Sequence, residues 1–481
     1  MGNDDVRRMY IGGEWVTAAS GETFTTIDPT TEEPIATVTA GGPEDVDAAV
    51  VAARAGAAEW SAMSWTERSK RLTSLAGRIR DEVEHLAMLD TVDAGLPITG
   101  MRADVLGTAG EFEYFAGIAG ELKGFTVPAG DDMLAYSRRE PYGIVGRIVP
   151  FNHPFRFSAG KLAAPLAAGN AVIMKPPEQA PLSALEIPQL AEGLLPAGVI
   201  NIVTGLGAPV GGSIAAHPDI PRIAFTGSVP TGRAVMRAAA EHIKHVSLEL
   251  GGKNPIIICE DADPVVTAAA TVTGMNIPRS MGQSCQSNSR VFIHRSIREP
   301  FLAALEARVA SLRIGDPRED TTDVGPLAYR EHYERVLQHI SNAEEDGARL
   351  LCGGGRPEGV DRGYYVAPTV FVDVTPDMRL AQEEVFGPVM AVIDWEDEDE
   401  LFAMVNGVQF GLTAKIWTRD LARAQRFVAR VDAGLVWVNG SGGKPRGVPF
   451  GGFKLSGIGK EGGLEEIVSF TREKGVMIAP H

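Results

Sequence analysis

Cys285 is the residue in this sequence whose surroundings best suit nucleophilic chemistry. It lies among small and polar residues at 282–288, whereas Cys259 follows the apolar run 256–258. Because a structural cysteine prefers apolar neighbours, this contrast predicts that Cys285 is a nucleophile and that Cys259 belongs to the core. Cys352 precedes three glycines and is predicted to be a surface-loop thiol. A thiol without a visible base is usually inert, so an unreactive Cys285 stays the alternative.

Two further residues could assist such a nucleophile. Glu249 lies between Leu248 and Leu250 at the end of a predicted strand. Partial desolvation there would raise the pKa of its carboxyl group, which suits a general base near neutral pH, although a strand residue facing solvent is the alternative. Asn152 lies in a turn bounded by two prolines, and its amide could either donate to a developing oxyanion or simply shape the turn.

Glycine-containing turns after two predicted strands could bind a nucleotide. One strand leads into Gly205 and Gly207, and another leads into Gly227 and Gly232 ahead of a helix. In such turns the backbone can approach a pyrophosphate, and the helix N-terminus offers free N–H donors. Neither turn has the full GxGxxG spacing, and residues 252–254 lack the rest of a P-loop, so ordinary strand-to-helix turns stay the alternative.

Lys175 and Glu178 directly follow another predicted strand. They would lie at the carboxyl edge of a parallel sheet, where α/β folds bind ligands and where a carboxylate can accept from ribose hydroxyls. The alternative is a surface loop that carries two solvated charges.

The elements that position these residues are predicted from changes in the sequence pattern. Helical spacing over 43–124, with a capping-box pattern at 64–67, predicts a helical segment. From residue 142 the pattern becomes short apolar strands separated by helix-length segments, which predicts two consecutive parallel α/β blocks. The strands are predicted at 143–149, 171–174, 199–203, 222–225 and 246–250, and then at 255–259, 290–294, 367–374, 389–395, 413–417 and 435–439. A hairpin at 125–138 and a strand at 475–479 would suit pairing with another subunit.

The composition is that of an acidic globular protein. The chain has 481 residues, of which 44% are hydrophobic, and a formal net charge of -17. That charge repels phosphate backbones and anionic lipids, so neither nucleic acid nor a membrane is expected as a partner. The acidic start at residues 1–5 is unlike a signal peptide, and no uncharged apolar run reaches 18 residues, which predicts a cytoplasmic protein. The three cysteines form no CxxC or Cys/His cluster, so no disulfide or metal site is expected.

Taken together, these motifs closely resemble the aldehyde dehydrogenase superfamily of the non-acylating type. The resemblance spans roughly residues 8–480 and rests on blocks that occur in this order: Asn152, Lys175 with Glu178, Gly227-Ser228, 249–252, Cys285, 384–388 and 449–454. It implies a Rossmann-type cofactor domain, an α/β catalytic domain and a small β oligomerisation arm. The cofactor domain would comprise 1–121 and 142–251, the catalytic domain 252–451, and the arm 122–141 and 465–481. The arm implies a homodimer or homotetramer.

The resemblance also implies a reaction. The cysteine that matches Cys285 attacks an aldehyde, and the thiohemiacetal oxyanion is held by the amide that matches Asn152 and by the cysteine's own backbone N–H. After hydride transfer to a nicotinamide, the carboxylate that matches Glu249 activates water to hydrolyse the thioester. The CoA-dependent branch usually lacks this glutamate, so its presence favours a free carboxylic acid as product.

Cofactor-binding residues follow from the same resemblance. They are expected at Ile148, Pro150, Lys175, Glu178, Gly207, Phe225, Gly227, Ser228, Leu250, Glu384 and Phe386. Lys175 and Glu178 would contact the adenosine ribose, and Ser228 the pyrophosphate. The carboxylate of Glu178 would repel a 2′-phosphate, so NAD is favoured, with NADP as a possible second cofactor.

The substrate tunnel is expected to be lined by His153, Arg156, Phe157, Gly160, Arg279, Lys444 and Phe450, with Arg446 nearby. Many relatives have an aromatic pair where this chain has Phe151 and His153, and His153 is predicted to be a wall residue. Several cations at one mouth suggest a small-molecule aldehyde that carries a carboxylate, or an aromatic aldehyde, with Gly160 leaving room for bulk. The alternative is that the arginines point outward and pair with acids.

Three other functions remain open at this stage. A cysteine hydrolase or thioesterase could use Cys285 and Glu249 without redox chemistry, but it would leave Lys175, Glu178 and Glu384 unexplained. A CoA-acylating aldehyde dehydrogenase would use the same nucleophile. A non-enzymatic descendant of the fold is opposed by the joint presence of the catalytic residues.

Overall fold

The computed structural model describes residues 6–479, so the acidic start at residues 1–5 and the end at 480–481 lie outside the described part. The helical segment expected over 43–124 is confirmed as four consecutive helices, and Ser64 caps the second of them by accepting from the Glu67 N–H. The α-helices are α1 (Pro43–Ala62), α2 (Trp65–Asp81), α3 (Val83–Ala94), α4 (Ile98–Ile118), α5 (Pro154–Ser158), α6 (Ala163–Ala167), α7 (Ile187–Ala191), α8 (Gly212–Ala216), α9 (Val229–Ala240), α10 (Pro264–Gly274), α11 (Ile277–Ser280), α12 (Arg298–Ala310), α13 (Arg330–Glu345), α14 (Arg379–Gln382), α15 (Glu398–Asn406), α16 (Leu421–Arg430) and α17 (Leu464–Ser469).

The strands include every predicted one, with ends that agree exactly or shift by up to four residues, and others that were not predicted. They are β1 (Val6–Arg7), β2 (Met9–Ile11), β3 (Glu14–Val16), β4 (Thr23–Asp28), β5 (Glu33–Thr39), β6 (Thr126–Val127), β7 (Leu134–Pro141), β8 (Ile144–Ile148), β9 (Ala171–Lys175), β10 (Ile200–Ile202), β11 (Arg222–Thr226), β12 (His245–Glu249), β13 (Pro255–Ile258), β14 (Arg290–His294), β15 (Arg349–Cys352), β16 (Thr369–Val372), β17 (Val389–Trp395), β18 (Phe410–Gly411), β19 (Thr413–Trp417), β20 (Leu435–Val438), β21 (Phe453–Lys454), β22 (Gly457–Ile458) and β23 (Thr471–Ile478).

Two large sheets confirm the predicted α/β class. The first has the order β22-β12-β11-β8-β9-β10-β2-β3, in which the five strands from β12 to β10 are parallel. The second has the order β15-β16-β17-β14-β13-β19-β20 and is parallel except for β15. Apart from β12 and β20, the parallel strands are buried on both faces, as their near-continuous apolar sequences require.

The register of the first sheet explains why distant residues meet. Ile148 pairs with Lys175 on one side and with Phe225 on the other, and Thr226 pairs with Glu249. Each of these residues lies at or next to the carboxyl end of its strand. The pairing therefore gathers them at one edge of the sheet, which is where open α/β sheets bind their ligands.

A third sheet contains the predicted hairpin. β6 pairs with β7, and β7 pairs along its whole length with β23, which begins four residues earlier than expected. β23 and β7 pair within one chain. The expected pairing of this sheet with a second subunit therefore stays a prediction.

Cys352 corrects one expectation. It is not a surface-loop thiol, since it is the last residue of β15 and is partly buried against the core. Burial raises the pKa of this thiol to about 11. The glycines that follow it suggested a loop, but they begin only after the strand has paired with β16. Cys259 is fully buried, as predicted.

Among residues 6–479, no helix combines the length and the apolar character that crossing a membrane would need.

Candidate active site

A cavity of about 970 Å³ opens at the carboxyl edge of the first sheet. All the residues expected to bind a cofactor line it: Ile148, Pro150, Lys175, Glu178, Gly207, Phe225, Gly227, Ser228, Leu250, Glu384 and Phe386. We call this cavity the cofactor cleft. Its volume lies at the upper end of the range for small-molecule and cofactor sites.

Lys175 and Glu178 form an ion pair inside the cofactor cleft. The Lys175 ammonium donates to the Glu178 carboxylate over 2.6 Å and to the Pro176 carbonyl over 3.0 Å. Lys175 is buried, whereas about a third of the Glu178 side chain is exposed. The pair therefore leaves a carboxylate facing the cleft, with a cation that fixes its position.

Glu384 and Phe386 lie at the end of the cleft nearest Cys285. The Gly252 N–H donates to the Glu384 carboxylate over 2.9 Å, and burial raises the pKa of this carboxyl to about 7. Phe386 has a left-handed backbone with φ of 58°, and its carbonyl is 2.8 Å from His332 Nε2. These contacts hold both side chains in place before any ligand binds.

A second cavity of about 370 Å³ lies on the other side of Cys285. It is lined by every residue expected in the substrate tunnel, namely His153, Arg156, Phe157, Gly160, Arg279, Lys444 and Phe450. We call it the substrate cavity. Cys285, Glu249, Thr226 and Phe157 line both cavities, so the thiol and the carboxyl lie where the two meet.

The loop that carries Cys285 is fixed by hydrogen bonds to its backbone. The Asn254 amide donates to the Cys285 carbonyl over 2.7 Å, and the Asn152 amide donates to the Gln283 carbonyl over 2.8 Å. Asn152 is 2% exposed, and its second N–H remains available for another acceptor. Burial, with smaller contributions from Glu384 and Glu249, raises the pKa of the Cys285 thiol.

Glu249 is the last residue of β12 and is 5% exposed. Neither of its carboxyl oxygens has a hydrogen-bond partner among the described residues. Burial and the charge of Glu461 raise the pKa of Glu249 well above its ordinary value. The protonated form of this carboxyl is therefore favoured more than in water, as the sequence argument from desolvation predicted.

The pKa of Glu461 is shifted in the opposite direction because this carboxyl has two cationic partners. Arg147 donates to it over 3.0 Å, and Lys161 contacts its other oxygen. Although burial opposes ionisation, Lys161 and Arg147 lower the pKa of Glu461. Opposite pKa shifts are expected for two interacting acids when only one of them has cationic partners.

Comparison with known proteins shows which family this sequence matches. Residues 15–476 match the model of the aldehyde dehydrogenase family. The chain belongs to that family. The resemblance inferred from the sequence motifs is thereby confirmed across nearly the whole chain.

Solved structures of other aldehyde dehydrogenases superpose closely on this one. The NAD+ complex of the Bacillus cereus enzyme is 39% identical, with a TM-score of 0.95, and the match covers 99% of this chain and 97% of that one. PnpE from Pseudomonas sp. WBC-3 is 38% identical, with a TM-score of 0.95 and 99% of both chains covered. The indole-3-acetaldehyde dehydrogenase AldA of P. syringae, solved as a mutant with NAD+ and IAA, is 35% identical, with a TM-score of 0.96 and coverage of 98% and 97%.

In this aldehyde dehydrogenase the tunnel arginines are paired with acids, but they do not point away from the cavity. Arg156 lies 3.1 Å from the buried Asp104, and Arg279 contacts the same carboxylate. His153 Nδ1 is 2.6 Å from the other oxygen of Asp104. Burial alone would raise the pKa of Asp104. The pKa nevertheless lies far below its ordinary range because of the neighbouring His153, Arg279 and Arg156. The positive charge expected from the two arginines is therefore largely compensated.

Gly160 provides no extra room for substrate, contrary to expectation. A Cβ at this position would collide with the carboxylate of Glu111, which lies 3.3 Å from Arg156. The space left by the missing side chain is thus occupied by an acid of the protein itself.

The sequence argument missed several residues of the aldehyde dehydrogenase site, above all Asp104, Lys161, Lys415 and Glu461. Asp104 had a detectable pattern, because it lies on the buried face of α4 between Met101 and Thr108. A carboxylate on an apolar helix face needs a cationic partner, but helical spacing alone does not identify that partner.

Proposed function

We propose that this protein oxidises an aldehyde to the free carboxylic acid with NAD as hydride acceptor, through a covalent intermediate on Cys285. The observation that carries the proposal is the position of Cys285 and Glu249 at the junction of the cofactor cleft and the substrate cavity. A nucleophile between two cavities can contact a substrate from one side and a cofactor from the other.

The residues of the cleft fit a dinucleotide. Glu178 offers a carboxylate for ribose hydroxyls, Ser228 caps the N-terminus of α9, and Glu384 offers a second carboxylate near Cys285. When bound, NAD supplies the acceptor for the hydride of the aldehyde carbon. NAD-bound structures of relatives support this assignment.

The roles of the catalytic residues follow from their chemistry. The Cys285 thiolate adds to the carbonyl carbon, and the oxyanion that forms accepts from the free N–H of the Asn152 amide. After oxidation to the thioester, ionised Glu249 takes a proton from water, which attacks the acyl carbon and releases the acid together with the thiolate. Glu249 lines the junction of the two cavities together with Cys285. Its raised pKa suits a base that must accept a proton.

The experiment that tests the proposal measures NAD reduction by absorbance across aliphatic, aromatic and carboxylated aldehydes. We expect reduction with at least one aldehyde, no CoA requirement, and the free acid as product. A hydrolase would instead turn over thioesters or esters without a nicotinamide cofactor, and a CoA-acylating enzyme would reduce NAD only after CoA is added.

Asn152→Ala should lower kcat at least about 10²-fold with little change in KM, because it removes the N–H that contacts only the oxyanion and also the donor that holds the Gln283 carbonyl. Steady-state kinetics with the best aldehyde checks this. Asn152→Asp keeps the size of the side chain but replaces the donor by an acceptor, so its kcat should fall at least as far. A loss confined to KM in both variants would contradict the oxyanion role.

Glu178→Gln should shift cofactor preference toward NADP. The change removes the carboxylate that repels a 2′-phosphate and releases the buried ammonium of Lys175 from its ion pair, so that it can attract one. We expect the ratio of kcat/KM for NAD over NADP to fall about tenfold, which corresponds to about 1.4 kcal/mol. Glu192→Gln, at an exposed site outside the cleft, is the matched control. An unchanged ratio in Glu178→Gln would place the discrimination elsewhere.

The domain organisation and the oligomeric state are proposed from the resemblance to the aldehyde dehydrogenase family. We propose that 1–121 with 142–251 form the cofactor domain, that 252–451 form the catalytic domain, and that 122–141 with 465–481 form an oligomerisation arm. Exposed apolar side chains in the arm, including Val127, Leu134 and Met477, support burial against a second copy in a homodimer or homotetramer.

A further inference from the structure

Lys415 is a buried lysine in the wall of the substrate cavity. It lies in the middle of β19, between β13 and β20, and is 2% exposed. Its neighbours along the strand, Ala414 and Ile416, are fully buried. Lysine is almost never fully buried without a charged partner. Lys415 is therefore an exception in a strand whose neighbouring buried residues are apolar. Such local conflicts are expected at functional sites.

The acceptors around the Lys415 ammonium are all neutral. Nζ donates to the Gly274 carbonyl over 2.9 Å and to the Asn288 side-chain oxygen over 2.7 Å. A third and longer contact of 3.4 Å reaches the carbonyl of Gln286, the residue that follows Cys285. The ammonium also lies 5.6 Å from the centre of the Trp437 ring, another wall residue of the cavity.

Three other cations of the substrate cavity are only partly buried and have carboxylate partners. Arg156 and Arg279 pair with Asp104, and Lys161 pairs with Glu461. Lys415 makes no ion pair with any carboxylate of residues 6–479, and burial lowers the pKa of its ammonium to about 7. A buried cation without a counter-ion is unfavourable, and an anion that enters the cavity would relieve that cost.

Two further cations that line the substrate cavity are more exposed than Lys415. Lys444 donates to the Val448 carbonyl and Arg446 donates to the Gly107 carbonyl. Both are more accessible to water than Lys415, which weakens their attraction for a bound anion. The strongest attraction for an anionic group is therefore expected at Lys415.

We propose that Lys415 binds a carboxylate of the aldehyde substrate, so that the preferred substrates are short aldehydes that carry an acid group a few carbons from the reacting carbon. This inference rests on the proposed aldehyde oxidation. The carboxylate would replace the long contact with the Gln286 carbonyl while the contacts with Gly274 and Asn288 keep the ammonium in place. Because Lys415 contacts the carbonyl of Gln286, the residue next to Cys285, and all three line the substrate cavity, we expect the acid group to lie within a few carbons of the aldehyde group.

The test compares aldehydes of three to six carbons that end in a carboxylate with uncharged aldehydes of the same length, such as 4-oxobutanoate with butanal. In the unaltered enzyme the best carboxylated aldehyde should have the higher kcat/KM. Lys415→Gln keeps hydrogen-bonding capacity without charge, and it should lower kcat/KM for that substrate about 30-fold, equivalent to about 2 kcal/mol, with uncharged aldehydes changed by less than about threefold. Lys415→Met should behave like Lys415→Gln.

Lys244→Met is the control, because Lys244 is a half-buried lysine outside both cavities that, like Lys415, donates to a backbone carbonyl, here that of His217. It should leave both substrate classes unchanged. Equal losses for charged and uncharged aldehydes in both Lys415 variants would show a purely structural role and overturn the proposal. An unaltered enzyme that prefers uncharged aldehydes at every length would overturn it as well, while leaving aldehyde oxidation established.

Binding of an anion at Lys415 can also be measured without turnover of an aldehyde. Succinate and glutarate should slow alkylation of Cys285 by iodoacetamide in the unaltered protein, and this protection should disappear in Lys415→Gln. Protection in the absence of any NAD reduction would leave the anion site standing and reject the proposed function. Equal protection in the unaltered protein and in Lys415→Gln, or none in either, would reject the anion site.

Discussion

Cys285→Ala should lower the rate of NAD reduction by any aldehyde about 10⁴-fold or more, because removing a nucleophile closes the covalent route. The surrounding loop should stay in place, since the hydrogen bonds that hold it involve the backbone carbonyls of Cys285 and Gln283. Cofactor binding, measured by fluorescence quenching or calorimetry, should therefore persist in the variant. Loss of activity together with cofactor binding would instead indicate that the variant is misfolded.

Cys352→Ser is the control for this variant. Cys352 is a partly buried thiol at the end of β15, in the second sheet and outside both cavities. Its replacement should leave the rate of NAD reduction nearly unchanged. If Cys285→Ala retained most of the activity, the covalent mechanism would be wrong even though the family assignment would stand.

The residues that line the cofactor cleft could be predicted in large part from the sequence. Strand-like apolar runs each end in a polar or glycine-containing turn, and parallel pairing brings those turns to one edge. Residues as distant as Lys175 and Glu249 therefore lie around one cleft without any need to know side-chain contacts. The resemblance to a family then assigned each position a role, and all of these positions line the cleft.

The substrate cavity could be predicted only in part, because its properties depend on pairing between distant side chains. The sequence placed Arg156 and Arg279 at the cavity correctly, but nothing in their spacing shows that Asp104 compensates both. Gly160 likewise suggested free space that Glu111 occupies. Lys415 lies in a strand that was predicted with its exact bounds, yet its missing counter-ion is visible only once the sheet is assembled.

The sequence and the structure therefore point to different cations of the substrate cavity as the binding site for an anionic group. Counting cations along the chain favoured Arg156, Arg279 and Lys444, with Arg446 nearby, as the source of an anion preference. Once Asp104 and Glu111 are taken into account, the buried cation without a carboxylate partner is Lys415, which contacts the residue after the nucleophile. A carboxylated aldehyde is still favoured, but a different residue is proposed to recognise it.

Glu249→Gln should slow turnover about 10³-fold by blocking the second half of the reaction, because an amide cannot take a proton from water. Formation of the thioester does not require this base to act on water, so the first turnover should still occur. Stopped-flow measurement should show a burst of NADH of about one equivalent per active site, followed by a very slow steady rate. The acylated enzyme should be detectable by mass spectrometry as an adduct on Cys285.

The pH dependence of the unaltered enzyme should report the same group. Burial raises the pKa of Glu249 above its ordinary value, so the fraction of ionised carboxylate, which is the form that acts as a base, increases as the pH rises. The rate of thioester hydrolysis, measured in single-turnover experiments, should therefore increase with pH and level off above that pKa. In Glu249→Gln this rise should be absent. A variant that keeps the same rise, or that loses the burst together with the steady rate, would show that Glu249 does not serve as the base for hydrolysis.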